Sequence, residues 1–452
     1  MGKHNIEKKS IGYKLLHKLV GFWHNIVYYR GIIKINKHNI PEDGSVIFTP
    51  NHQNTLMDAL ALLFNIKRQL VFVARADIFK NKKIAAILYF MKILPIFRIR
   101  DGYDSLKNNK ETFDKTADVL REGNGLVILP EGNHAGRHRL RPLKKGFARI
   151  AFQTEETHNF DLDIKIVPVG IDYCNYYKIR ENLLLNFGRP ISISDYKDRY
   201  LKNRAQALNK IREDLSRALS EVMIDIKSEK YYSTYQSLRE IYSARYTLYL
   251  GYKNTKQPNL FLAEKKLIDK IEAFEAKDPS GFERLHKTTG KFIGGINKAK
   301  LNIDFFSIEP RSIFMLLART SGLVLLLPVY LYSLILNLIP FQITMAAPKL
   351  LKDQQFASSL KFIVSWLMFP LFYILETAII TNVVKLPFEW YYFIGSQILA
   401  AAIGWFTHNL IIDIGHEYRF LFFKAKNKKA YKLLRRMHQQ IIGSLDELVS
   451  NF

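Results

Sequence analysis

The sequence predicts an α/β domain with a central mixed sheet flanked by helices, followed by a helical unit and C-terminal transmembrane helices. Three observations carry this. Between residues 30 and 225, short β-like apolar runs alternate with helical stretches, the pattern of a sheet with helices on its faces. Between residues 313 and 412, three apolar stretches follow one another, each of the ~20-residue length that crosses ~30 Å of hydrocarbon. The 452 residues include 67 Lys and Arg against 41 Asp and Glu, a formal charge of +26. Such an excess calls for an anionic partner: nucleic acid, an anionic membrane or a phosphorylated substrate.

Taken in order, residues 1–29 form an N-terminal amphipathic helix, with Leu15, Leu16, Leu19, Phe22, Trp23 and Ile26 near helical spacing and Lys14 and Lys18 between them. It suits a membrane surface, or simple packing on the domain that follows. In the 30–225 domain the strand candidates are Ile32–Ile35, Val46–Thr49, Leu70–Ala74, Leu126–Leu129, Ile164–Val169 and Leu183–Phe187. Residues 226–310 are polar and helical, and read as a linking unit without a catalytic signature. The 311–415 region holds two to four membrane segments, with core spans near 313–336, 362–384 and 390–412. Trp390-Tyr391-Tyr392-Phe393 has the composition of an interfacial belt. Residues 416–452 form a basic amphipathic tail suited to a membrane surface.

Composition excludes several classes. Hydrophobic residues at 48% and aromatics at 13% exclude a disordered chain. The single cysteine, Cys174, excludes a disulfide framework and a CxxC metal site. The opening MGKHNIEKKS is basic without a clean apolar core and cleavage site after it, so no removable signal peptide is expected. A nucleic-acid-binding reading rests on charge alone and leaves the three apolar stretches unexplained, so no nucleic-acid partner is expected.

Four motifs could carry chemistry. In VIFTPNHQNTLMDALAL, a strand meets a Pro-Asn turn, then His52 and Asp58. Six residues on one continuous helix turn the chain ~600°, leaving the two side chains ~120° apart. With His52 in the turn and Asp58 in the first helical turns, the carboxylate can accept a hydrogen bond from the imidazole and fix its tautomer. A turn histidine beside a helix-entry acid is the plainer alternative. In GLVILPEGNHAGRHRLRPLKKGFARIAF, an apolar strand runs into Pro130-Glu131-Gly132, then into a basic segment with Arg137 and Lys145 before a helix. That is an anion-binding composition, or else a solvated basic loop. In ILPIFRIRDG, Arg98 and Arg100 share a side if the segment is extended, and arginine there can hold a phosphate. The fourth motif, IKIVPVGIDY, is a buried strand that says little alone.

Together these residues resemble the glycerolipid acyltransferase family, whose members acylate glycerol phosphate and lysophosphatidate. The resemblance covers roughly residues 20–220. His52 and Asp58 match its His-to-Asp block, with five intervening residues where the family usually has four. Five is the form associated with the fungal glycerol-3-phosphate/dihydroxyacetone-phosphate branch, which also carries membrane segments after the catalytic domain. Ile96-Phe97-Arg98-Ile99-Arg100 is similar to the second block, Pro130-Glu131-Gly132 to the third and Val167-Pro168-Val169-Gly170 to the fourth. In the third block the family often continues with Thr-Arg or Ser-Arg; here Asn133-His134 follow.

The resemblance implies an acyltransferase domain over residues 30–225 that moves a fatty acyl group from a thioester to a hydroxyl of glycerol-3-phosphate or 1-acyl-glycerol-3-phosphate. His52 would be the general base and Asp58 its orienting acid. Arg100, Glu131 and Gly132 would position the acceptor, with Arg98, Arg137 and Lys145 as further phosphate contacts. No cofactor or metal is implied; acyl-CoA or acyl-carrier protein is the co-substrate. Other expected partners are anionic membrane lipid and the phosphorylated glycerol acceptor. The expected location is integral to the membrane, with the catalytic domain on the cytoplasmic face of the inner membrane. Alternatives are acylation of another lysolipid, including a lyso-aminolipid, or a non-catalytic membrane lipid-binding scaffold. Pro328, Pro340 and Pro348 suggest that residues 313–347 fold back as a re-entrant hairpin, leaving two spans and both chain ends in the cytosol. A three-span arrangement would instead pair Arg319 with Glu376 at similar depth.

Overall fold

The computed structural model describes residues 6, 10–97, 109–133, 136–307, 311–383 and 389–451. Two compact units divide the chain: Met1–Asp225 with Leu351–Phe362, and Ile226–Leu350 with Ile363–Phe452.

The first unit runs α1 (Ile11–Phe22), β1 (Gly31–Ile35), β2 (Val46–Pro50), α2 (Leu56–Leu63), β3 (Leu70–Arg75), α3 (Lys82–Phe90), β4 (Ile93–Ile96), α4 (Asn109–Arg121), β5 (Gly125–Val127), α5 (Gly146–Thr157), β6 (Lys165–Tyr173), β7 (Asn182–Phe187), β8 (Ile191–Ser192), α6 (Lys197–Lys202) and α7 (Arg204–Val222). The strands form one sheet in the order β1-β7-β6-β2-β5-β3-β4, with β8 also pairing β6. Strands β6, β2, β5, β3 and β4 are mutually parallel, while β7 and β8 run antiparallel to β6. The central strands are buried on both faces and read as continuous apolar runs, which is why Val46–Phe48 and Ile166–Val167 are fully covered.

Proline positions follow from the ladder. β4, not among the strand candidates, contains Pro95, which cannot donate, and β4 is an edge strand. Pro168 lies inside β6 where pairing with β8 has ended and pairing with β7 has not begun. Its carbonyl accepts from Gly188 N at 2.8 Å on that side, so the missing N–H falls in the gap. β5 ends at Val127, short of the expected Leu129, although Ile128 N still donates to Phe48 O at 3.0 Å.

On α1 and the π-helical turn after it, Tyr13 and His24 face inward, while Ile11, Leu15, Leu19, Phe22 and Ile26 form an exposed apolar stripe. Burial pushes the His24 imidazole down to about 4.

The second unit contains α8 (Tyr232–Tyr249), α9 (Asn259–Lys277), α10 (Pro279–Ala299), α11 (Asp304–Ser307), α12 (Ile313–Ala346), most of α13 (Ala357–Val383), α14 (Trp390–Lys426) and α15 (Lys428–Asn451). Among the described residues, three helical segments are long and apolar enough to cross a membrane: Ile313–Leu350, Gln354–Val383 and Trp390–Lys426. The fold-back expected over 313–347 is not formed. α12 is one helix with Pro328 and Pro340 inside it, packed along α14. Prolines are tolerated in membrane helices where neighbouring helices and hydroxyl side chains compensate for the lost backbone bond.

The expected Arg319–Glu376 pair is also not formed. Arg319 and Arg311 both donate to Glu417 on α14, and Glu376 accepts from Gln397 Nε2 at 2.9 Å. α12 lies against α14, so the carboxylate that meets Arg319 comes from α14. α15 turns its apolar face inward: Leu434, Ile441, Leu445 and Leu448 are buried in a bundle with α8, α9 and α10. Asp446 fastens it, accepting from Arg245 Nη2 at 2.8 Å and from Tyr242 OH at 2.7 Å.

Candidate active site

The parallel pairing places the carboxyl ends of β6, β2 and β5 side by side. In open α/β sheets this edge is where ligands bind. β2 ends at Pro50, and the turn after it is held by Asn51. Its N–H donates to Val169 O at 3.2 Å, its Nδ2 to Ile171 O at 3.1 Å, and its Oδ1 accepts from Ile171 N at 2.6 Å. The side-chain amide thus continues the β2–β6 ladder where the backbone leaves it.

His52 sits in that turn, and α2 begins at Leu56, so Asp58 lies in the first helical turn. His52 Nδ1 is 2.9 Å from Asp58 Oδ2. The same oxygen accepts from Gln53 N at 2.8 Å and Asn54 N at 2.7 Å, and Oδ1 accepts from Tyr173 OH at 2.7 Å. Asp58 is fully buried, and the His52 side chain is 16% exposed. A carboxylate only accepts, so Nδ1 donates to Asp58, which in the neutral imidazole leaves Nε2 as the acceptor. The helix N-terminus favours the negative charge further. Burial, and then the Asp58 charge, push the Tyr173 hydroxyl well above its ordinary value, which keeps it a donor.

Glu131 follows β5. Its Oε1 accepts from His52 N at 2.7 Å and its Oε2 from Arg141 N at 3.0 Å. The carboxyl thereby ties the His52 turn to the basic segment that carries Arg137 and Lys145. Burial pushes Glu131 up to about 8, against the two backbone donors and Arg141, which pull it down. Gly132 holds φ +67°, a left-handed conformation that a side chain adopts at a cost, and so lets the chain turn away after Glu131. Arg137 is exposed, and Lys145 is half-buried at the start of α5. Arg98 and Arg100 lie outside the described residues.

Three supports were not legible in the sequence. Tyr173 reaches Asp58 from β6, 115 positions away. His138 and Asp172 form a buried pair, Nε2 to Oδ1 at 3.1 Å, and the imidazole lies against Tyr176, whose hydroxyl donates to Gln53 Oε1. Thr55, with φ +48°, shares a 2.5 Å hydrogen bond with Ser359, and Ser358 Oγ donates to Tyr176 O. Tyr173 and Asp172 close the motif IKIVPVGIDY, His138 lies in the basic segment after Gly132, and Gln53 and Thr55 lie in the His52 motif, while Tyr176, Ser358 and Ser359 fall outside all four motifs; long-range pairing could have suggested these contacts, single-chain spacing could not. Among the described residues, no group of three or more His, Cys, Asp or Glu is placed to hold a metal.

The arrangement is a buried acid that orients an imidazole, with a basic segment beside it. It can accept a proton from a bound hydroxyl and stabilise the resulting imidazolium. Comparison with known proteins places it. Residues 31–172 match the family model described as Acyltransferase. Glycerol-3-phosphate O-acyltransferase 1 of Saccharomyces cerevisiae is 21% identical over 75% of this chain and 47% of its own length. The 1-acyl-sn-glycerol-3-phosphate acyltransferase of Borreliella burgdorferi is 26% identical over 36% of this chain and 59% of its own length. The chain thus spans about half the length of these curated relatives. The crystal structure of the 1-acyl-sn-glycerophosphate (LPA) acyltransferase PlsC from Thermotoga maritima is similar over 46% of this chain and 78% of that one, at 18% identity and a TM-score of 0.32. The His52–Asp58 geometry lies inside the segment, residues 31–172, that matches the Acyltransferase family model.

Proposed function

We propose that the chain is a membrane-bound acyltransferase that moves a fatty acyl group from a thioester to a hydroxyl of glycerol-3-phosphate or 1-acyl-glycerol-3-phosphate. The observation that carries this reading is the His52 imidazole, held by an Asp58 carboxylate that accepts from four donors. His52 Nε2 takes the acceptor's hydroxyl proton as its oxygen attacks the thioester carbonyl. The C–S bond breaks as the ester forms, and the proton passes to the departing thiolate. Asp58 holds the imidazole and offsets its transient positive charge. No protein nucleophile is needed, because the substrate hydroxyl fills that role. Arg137 and Lys145 are on the segment that Glu131 ties to the His52 turn, which supports a phosphate-positioning role. Arg98 and Arg100 are assigned to the same task from their motif.

The three membrane-length helices support an integral membrane protein, with the catalytic unit at the cytoplasmic surface and anionic lipid beside its basic residues. Acylation of a different lysolipid is the second reading, favoured by Asn133 standing where the family often has a hydroxyl residue before arginine. Purified protein assayed with acyl-CoA and acyl-carrier-protein donors against a panel of acceptors separates the two. Ester formation on the phosphorylated glycerols supports the first reading; ester formation confined to phosphate-free lysolipids overturns it.

A further inference from the structure

In the second unit, α10, α14 and α15 enclose a groove of about 560 Å³. Its floor is apolar, with Phe422 and Phe423 from α14 and Leu433, Leu434 and Met437 from α15. Phe422 is 63% exposed and Leu433 52%, a costly arrangement in water for large apolar side chains lining one groove. Lys291 and Lys298 from α10 and Arg419 from α14 line the same groove, and all three are exposed. Gly295 lets α15 close on α10, since a Cβ there would lie 2.5 Å from Leu434 Cδ2.

The position says what such a groove meets. α14 is the third membrane-length helix, and its uncharged run ends at Ile412. Arg419 is seven residues further, about 10 Å along the helix. The headgroup layer adds ~5–8 Å to each face of the hydrocarbon, and an arginine side chain reaches across the remainder. Arg419 Nη1 donates to Lys300 O at 3.3 Å, and a guanidinium has five N–H donors in all. Lys424, Lys426, Lys428 and Lys429 flank the groove in sequence and add to its positive field.

We infer that this groove binds one anionic phospholipid drawn from the adjacent leaflet. Its phosphate lies against Lys291, Lys298 and Arg419, and part of an acyl chain covers Phe422, Leu433 and Met437. Charge complementarity selects an anionic over a zwitterionic headgroup, and the exposed aromatic and aliphatic floor selects a lipid over free phosphate. The inference does not depend on the proposed reaction, and its readout is binding.

The test is native mass spectrometry of the full chain in detergent with phosphatidylglycerol or phosphatidylcholine. Retention of phosphatidylglycerol over phosphatidylcholine is expected, undisturbed by inorganic phosphate at the same concentration. K291Q/K298Q/R419Q should lose it, at about fivefold in affinity for each cation removed. A control of equal charge change, K253Q/K256Q/K277Q, should bind as the parent does. Equal retention of the two lipids, displacement by inorganic phosphate, or equal losses in the groove and control variants would overturn the inference. All six substituted residues are exposed, so melting temperatures should match the parent; a groove variant that fails to fold is replaced by Lys298→Gln alone, with the same outcomes read at one cation.

Discussion

Replacing Asp58 by asparagine isolates the contribution of charge. The amide oxygen can occupy the Oδ2 position and still accept from His52 Nδ1, Gln53 N and Asn54 N. The amide NH₂ then faces Tyr173, whose hydroxyl can turn to accept. The hydrogen-bond count survives, but the negative charge 2.9 Å from the imidazole is gone. At an effective dielectric near 20, two unit charges ~4 Å apart interact by ~4 kcal/mol. That attraction exists only when His52 carries the abstracted proton, so it belongs to the transition state. Turnover should fall by about 10³-fold, with the acceptor KM little changed. The assay is the initial rate of ester formation by the detergent-purified chain, quantified by mass spectrometry, alongside a thermal melt. Turnover within about tenfold of the parent in a folded variant would refute the electrostatic role assigned to Asp58.

Tyr173→Phe removes one neutral donor from the buried Oδ1 and leaves the charge in place. It should lower stability by about 1–3 kcal/mol in denaturant titration while cutting turnover by less than Asp58→Asn does. The pH dependence of stability should carry the mark of Glu131. Its folded-state value, raised to about 8 from 4.5, means that the folded chain holds this proton where the unfolded chain has lost it. Its contribution is fully present below about 4.5 and is lost as pH rises through about 8. Glu131→Gln should therefore show a shallower decline of melting temperature between those limits, and parallel declines would rule this out.

Much of the catalytic unit was legible because its determinants are local. The buried strands announce themselves as apolar runs, and the turn geometry alone requires His52 to precede the helix if it is to meet Asp58. β4 was missed because Ile93–Ile96 is short and interrupted by Pro95, which only its edge position accommodates. Tyr173, His138 and Ser359 reach the site through pairings 115, 34 and 304 residues apart in sequence, which no local periodicity encodes. Both oxygens of Glu131 accept from backbone N–H groups, partners that its motif does not reveal. The motif identified the residue, but its partners are chosen by how β5 and the segment after it are laid beside the His52 turn. The continuous α12 was obscured for another reason: proline is a strong breaker in water and a tolerated one in a packed membrane helix.

The central claim is that the imidazole at position 52 removes the acceptor's proton. Its most direct test is the rate of ester formation by His52→Ala with saturating acyl thioester and phosphorylated glycerol acceptor. Loss of a positioned general base should lower that rate by about 10²–10⁴-fold while the protein still folds and binds the acceptor. A folded His52→Ala variant that turns over at the parent's rate would contradict the account.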